Sequence, residues 1–233
     1  MFHTLKSKHN IMKILAIETA TEACSAALDI NNECRQRFEV APRRHTELIL
    51  PMVDELLREA DIQVEQLDAI AFGQGPGAFT GVRIAIGVIQ GLAFAHDIPV
   101  IPVSTLAALA QQFANKHTCI ASAIDARMQE IYWGLYKKNK YGLMQAITEE
   151  KVCLPTEISA PSEEEWFGVG TGWQTYSDEL ESRFTNNLVG FHGDVFPNAG
   201  DIIELARPAY LEGKMIPVDE AIPVYLRNKV VVI

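Results

Sequence analysis

The residues best placed to do chemistry lie in GQGPGAFTGVR, where Gly73, Gly75, Gly77 and Gly81 fall close together beside Pro76. Glycine at that density permits positive φ and lets another backbone or a ligand come close. One use of such a turn is to seat an anion at the start of the helix that follows. The plainer use is a tight strand-to-helix turn that lets the helix pack on its sheet. No Lys-Ser or Lys-Thr pair follows a glycine at Walker A spacing. Gly73, Gly75 and Ala78 satisfy GxGxxA, but Asp97 precedes the next strand instead of ending it, so the acid of a dinucleotide fold is missing.

Glu18 and Thr19 close the first strand in IETATEAC, where actin-like phosphotransferases place an acid for metal and a hairpin for phosphate. Such a hairpin needs glycine so that backbone amides reach the phosphate. Here Ala20, Thr21, Glu22 and Ala23 stand instead, and Glu22 would repel an anion. Glu18, Thr19, Gly75, Gly77 and the later turn Gly170–Gly172 are therefore expected to be remnants of a nucleotide site. A small-molecule kinase of actin-like fold is the alternative reading of the same residues. His3, His9, His45, His96, His117 and His192 contain no i, i+4 pair, which argues against a metal site supplied by this chain and hence against a metallopeptidase. There is no GxSxG, and no cysteine has an evident activating neighbour. Cys24, Cys34, Cys119 and Cys153 form no CxxC pair and are expected to be buried thiols. His45, beside Arg43 and Arg44, reads as a solvated loop residue at a helix start.

The elements that must position these residues follow from periodicity. KILAIET (13–19), CSAALDI (24–30) and ECRQRFEV (33–40) predict a three-strand meander, with Asn31 and Asn32 at a turn that tolerates left-handed backbone. Leu48/Ile49, Met52/Val53, Leu56/Leu57 and Ala60 recur every four residues, the stripe of an amphipathic helix that Pro51 should kink or start late. A buried strand at 67–73 leads through the glycine turn into VRIAIGVIQGLAFAHD, apolar on nearly every side. A proline-broken strand at 98–104 should lie at an edge or end early, and Ser104 should cap a helix over 105–116. CIASAIDA, EIYWGLYKK and GLMQAITEEKVCL read as strands of a second lobe that begins near His117. A short strand at 166–170, a helix at 176–184 and a last helix at 199–211 follow. The fold class is α/β, in lobes 12–116 and 117–233, the last helix packing back on the first lobe. Residues 1–11 read as an extension.

Composition agrees with an ordinary globular chain: 233 residues, 48% hydrophobic and 21% charged. The net charge is −10, and becomes −12 without the first eleven residues, which add two lysines and no acid. Binding nucleic acid alone is disfavoured, because that affinity rests on cations displacing counterions from phosphates. The longest apolar stretch, 82–95, is broken by Arg83 and Gln90 and falls short of the roughly 20 residues of a membrane span. A cytoplasmic location is expected.

IETATEACSAAL, RRHTELILP, FGQGPGAFTGVRIAIG, PVSTLAALA, DARMQEIYWG and GTGW, in this order from about Met12 to the C-terminus, resemble the bacterial TsaB family, also called YeaZ. The resemblance implies an actin-like fold of the Hsp70 and sugar-kinase superfamily, with two ribonuclease-H-like lobes. It implies a part in forming N6-threonylcarbamoyladenosine beside the anticodon of tRNAs that read codons starting with A. It further implies a non-catalytic platform that pairs with the catalytic paralogue TsaD, joins the ATPase TsaE, homodimerises when alone and meets tRNA only through the complex. This chain lacks the HxxxH pair of TsaD, so the glycoprotease designation of metal-bearing relatives does not transfer. No cofactor is expected on this chain alone, and ATP or ADP only at a boundary shared with its partners. The partner face is expected on the first lobe's two helices, at His45, Leu48, Ile49, Met52, Val53, Arg83, Ile86 and Gln90. Gly87 and Gly91 would permit close helix approach there.

Overall fold

The computed structural model describes residues 11–161, 163–184 and 187–227. Except for Ile11, the expected extension lies outside them. The chain opens with the meander β1 (Lys13–Glu18), β2 (Ala23–Ile30) and β3 (Glu33–Val40), antiparallel throughout. Asn31 and Asn32 adopt φ of 54° and 70° at its second turn, the conformation asparagine tolerates best among non-glycine residues. Helix α1 (His45–Glu59) follows, then β4 (Ala69–Gly73), α2 (Phe79–Ala93), β5 (Val100–Val103) and α3 (Thr105–Gln111). Ser104 caps α3, its hydroxyl oxygen accepting the Ala107 N–H at 3.2 Å. Pro51 lies inside α1, which begins six residues before it, so the helix start is not late.

The second half repeats the plan. β6 (Cys119–Asp125), β7 (Ile131–Lys138), β8 (Met144–Ala146) and β9 (Lys151–Cys153) form an antiparallel group. β10 (Trp166–Val169), α4 (Thr171–Thr175), α5 (Ser177–Phe184), β11 (Leu188–His192) and α6 (Ala199–Leu211) complete it. The single strand read in 142–154 is two short strands divided by a polar turn, Gly170–Gly172 opens α4 instead of forming a free turn, and β11 was not foreseen.

The sheets run β3-β2-β1-β4-β5 and β8-β7-β6-β10-β11, each with three antiparallel strands followed by two parallel ones. One order used twice is the actin-like arrangement of paired ribonuclease-H-like lobes. The lobes exchange helices: α6 covers one face of the first sheet, against Ile14, Ala16 and Ala71, while α3 packs on the second sheet through Leu106 and Leu109. Alternation along β1 sends Leu15 and Ile17 to the opposite face, under α1 and α2.

Two expectations need correction. Cys24, Cys119 and Cys153 are buried, but Cys34 is exposed, because β3 is an edge strand. Phe79–His96, α2 with its 3-10 extension, is 18 residues long and matches a membrane span by length and composition, which 82–95 alone did not suggest. It packs along the sheet through Val82, Ala85, Ile86, Ile89 and Ala93.

Candidate functional site

Two features border open space: the cleft between the lobes and the outer face of α1 and α2. The cleft is made by the β1–β2 turn, the glycine-rich turn before α2 and the β6–β7 turn. A methyl group at Gly77 would collide with the Ala20 carbonyl oxygen, and one at Gly81 with that of Thr19. The glycines thus serve mainly to press α2 onto the β1–β2 turn. Thr19 closes the contact, its hydroxyl donating to the Gly81 carbonyl at 2.8 Å.

Glu18 is fully buried. Its Oε1 accepts the Ala20 N–H at 2.5 Å and its Oε2 the Thr105 hydroxyl at 3.3 Å. Desolvation outweighs these bonds and raises its pKa to about 7. Gly75, at φ 99°, lies against the carbonyl of Val224. Gly170 and Gly172 pack against Ala123 in the second lobe. The remaining cavity, about 260 Å³, is bordered by Thr21, Glu22, Asp125, Arg127, Tyr225 and Arg227.

These residues do not fit a nucleotide. Glu18 is spent on internal bonds, the cavity wall carries the carboxylates of Glu22 and Asp125, and residues 224–227 stand at the mouth. Arg127 offsets Glu22, pairing with it at 2.9 Å and with Asp125 at 3.0 Å. Among the described residues, no three His, Cys, Asp or Glu side chains gather closely enough to hold a metal ion.

The structure divides the expected interface residues. Ile49, Met52, Val53 and Ile86 point into the core, at 1%, 8%, 2% and 8% exposure. His45 is buried too, its Nε2 2.8 Å from the Thr21 carbonyl, so it is not a solvated loop residue. The apolar stripe read as a partner face is the inner face of α1, buried on the monomer's own sheet. Leu48 is half-buried, and Arg83 and Gln90 are exposed.

What α2 presents outward is Phe79, Thr80, Arg83, Gly87, Gln90, Gly91 and Phe94, with Phe94 75% exposed. Nothing lies within 4 Å of a side chain added at Gly87 or Gly91. Each glycine in a helix costs about 1 kcal/mol relative to alanine, and here no neighbour in the monomer requires it. The pair leaves a smooth strip of backbone between Arg83 and Phe94. Beside its N-terminal end, a hollow of about 600 Å³ opens between the starts of α1 and α2, with Arg43, Thr46, Thr80 and Ile84 in its wall.

A family model described as TsaD, tRNA N6-adenosine threonylcarbamoyltransferase, matches residues 38–233. The chain is 43% identical over 225 residues to the tRNA threonylcarbamoyladenosine biosynthesis protein TsaB of Escherichia coli (strain K12), covering 94% of this chain and 96% of that protein. This chain belongs to the TsaB family. The TsaB of Haemophilus influenzae is similar at 42% identity, covering 94% of this chain and 95% of that one. The solved structure of YeaZ from Pseudomonas aeruginosa superposes with a TM-score of 0.86 at 45% identity, over 93% of this chain and all of that one.

Within this TsaB-family fold, sequence reasoning missed the segment at 221–227 and the turn at 127–129. Three consecutive non-glycine residues, Arg127, Met128 and Gln129, hold φ of 62°, 56° and 64°. DARMQE marked the place as distinctive, but neither a turn nor a coil carries a periodicity to read.

Proposed function

We propose that this chain takes part in tRNA threonylcarbamoyladenosine biosynthesis as a non-catalytic subunit that docks TsaD through the outer face of α2 and α1 and, on that pair, recruits TsaE. Its family membership supports the pathway. The observation that carries the platform role is the outward strip at Gly87 and Gly91, which costs helix stability and leaves the backbone open to close approach. Flanking Phe94, 75% exposed, supplies an aromatic side chain of the kind enriched at interfaces, with the amide of Gln90 beside it. A face of two helices can supply the roughly 800 Å² per partner of a specific contact. The same face would serve a homodimer when TsaD is absent, and tRNA would be met through the complex. A cytoplasmic location belongs to this reading.

The cleft is consistent with a subunit without turnover of its own, because the Glu18 carboxylate is buried and bonded to the Ala20 N–H and the Thr105 hydroxyl. In this proposal any ATP or ADP would bind at a boundary shared with the partners. The small-molecule kinase reading loses its main residues on the same grounds.

Gly87→Arg tests the docking face. Open space surrounds Gly87, so the variant should fold with an unchanged or higher melting temperature and lose co-purification with TsaD by at least tenfold. Retained binding by the folded variant would move the contact elsewhere.

A further inference from the structure

We infer that residues 224–227 form a strap that ties the two lobes together across the mouth of the cleft, so that the angle between lobes is set by the chain itself. On the first lobe, the Val224 N–H donates to the Gln74 carbonyl at 2.8 Å, and the Val224 carbonyl rests against Gly75. The Tyr225 ring stacks on Phe79 with centroids 5.2 Å apart and planes 28° apart. Arg83 completes the cluster, its Nε donating to the Tyr225 hydroxyl at 2.9 Å while its guanidinium lies 3.5 Å over the Phe79 ring.

Two residues further on, the strap grips the second lobe. Arg227 Nη2 donates to the Arg127 carbonyl at 3.3 Å and pairs with Glu130, and Nη1 lies 3.6 Å from the Met128 sulfur. The turn it holds contains the three left-handed residues 127–129. Such backbone persists only where its surroundings over-determine it: Asp125 Oδ1 accepts the Arg127 N–H at 2.8 Å from within the turn, and Arg227 adds support from outside it. The Arg227 side chain is only 16% exposed, and its Nε is buried without a partner. A cost of this kind is unexpected in a loose surface tail.

Among the described residues, few other side chains bridge the mouth. The Arg127–Glu22 pair does so, but Arg127 is 72% exposed and Glu22 36%, a setting in which ion pairs contribute little. The exchanged helices α3 and α6 also join the lobes, through packing. Helix packing and the strap together hold the two lobes.

The test is hydrogen exchange on the full chain carrying Tyr225→Ala and Arg227→Ala together. Amides of the β6–β7 turn, the Ala126 N–H bonded to Glu130 and the Glu130 N–H bonded to Arg127, should exchange at least tenfold faster, while those of β1 and β6 keep their rates. Unchanged exchange in the turn would overturn the strap, and so would a uniform rise across both sheets, which would mean only lost global stability. Should the double variant not fold, Arg227→Lys decides with the same readout: it keeps a charge near Glu130 but loses the planar fork that spans Arg127 and Met128, and the turn should again exchange faster.

Discussion

Glu18 shows what a single residue can and cannot reveal in advance. Its place at the end of the first strand marks it as a candidate acid, but its burial comes from residues far along the chain, with Thr105 supplying a hydroxyl and Gly73 a wall without a side chain. Burial raises its pKa from 4.5 to about 7. The unfolded chain therefore releases this proton above pH 4.5, while the folded chain keeps it until near pH 7. The unfolded state binds fewer protons in that window, so this group's contribution to stability is full below pH 4.5 and falls as pH rises. At about 1.4 kcal/mol per pKa unit the loss approaches about 3 kcal/mol. Chemical denaturation at pH 5 and pH 8 should show that decline, and Glu18→Gln should flatten it. An equal slope in the variant would assign the pH dependence to other groups. His45 carries a related lesson: its neighbours Arg43 and Arg44 suggest solvent, yet the Thr21 carbonyl draws the ring inward, a contact between residues 24 apart.

Among the elements, those with a clear period were legible. The meander, α1 and α6 follow from alternation or a four-residue stripe, and α6 has the predicted ends, Ala199 and Leu211. β11 was not, because LVGFH is a short, half-exposed edge strand with a glycine at φ 134° in its middle. The amphipathic stripe of α1 was legible as a pattern but not as a destination, since the same apolar face suits a sheet or a partner. Burial decides it. Met52→Arg and Ile86→Arg should unfold the chain or lower its stability by roughly 3 kcal/mol or more, because each buries an unpaired charge. A folded, merely dissociated variant would return those side chains to the interface. Gly87→Ala with Gly91→Ala should do the opposite, raising stability by about 1–2 kcal/mol while weakening association. Thermal melts alongside a binding titration read both effects.

At the scale of the whole molecule, one topology appears twice and the two copies exchange a helix, so one face of each sheet is covered by a helix from the other half of the chain. The order of strands could not be read from any single segment, because it depends on pairings between β1 and β4 and between β6 and β10. Glu18 is buried beneath the cleft between the lobes, residues 224–227 cross its mouth, and the helix glycines that no neighbour in the monomer requires lie on the outer face of α2. That distribution agrees with the proposed docking role, and the proposal makes a demand of the complete system. The most direct measurement is threonylcarbamoyl transfer from an added activated threonylcarbamoyl donor to tRNA in a reconstituted mixture of TsaD, TsaE and this chain, with Gly87→Arg replacing the natural chain in a parallel reaction. Transfer should be absent with this chain alone, present in the full mixture and reduced at least tenfold by the variant. Transfer by this chain alone, or full activity with the folded variant, would contradict the account.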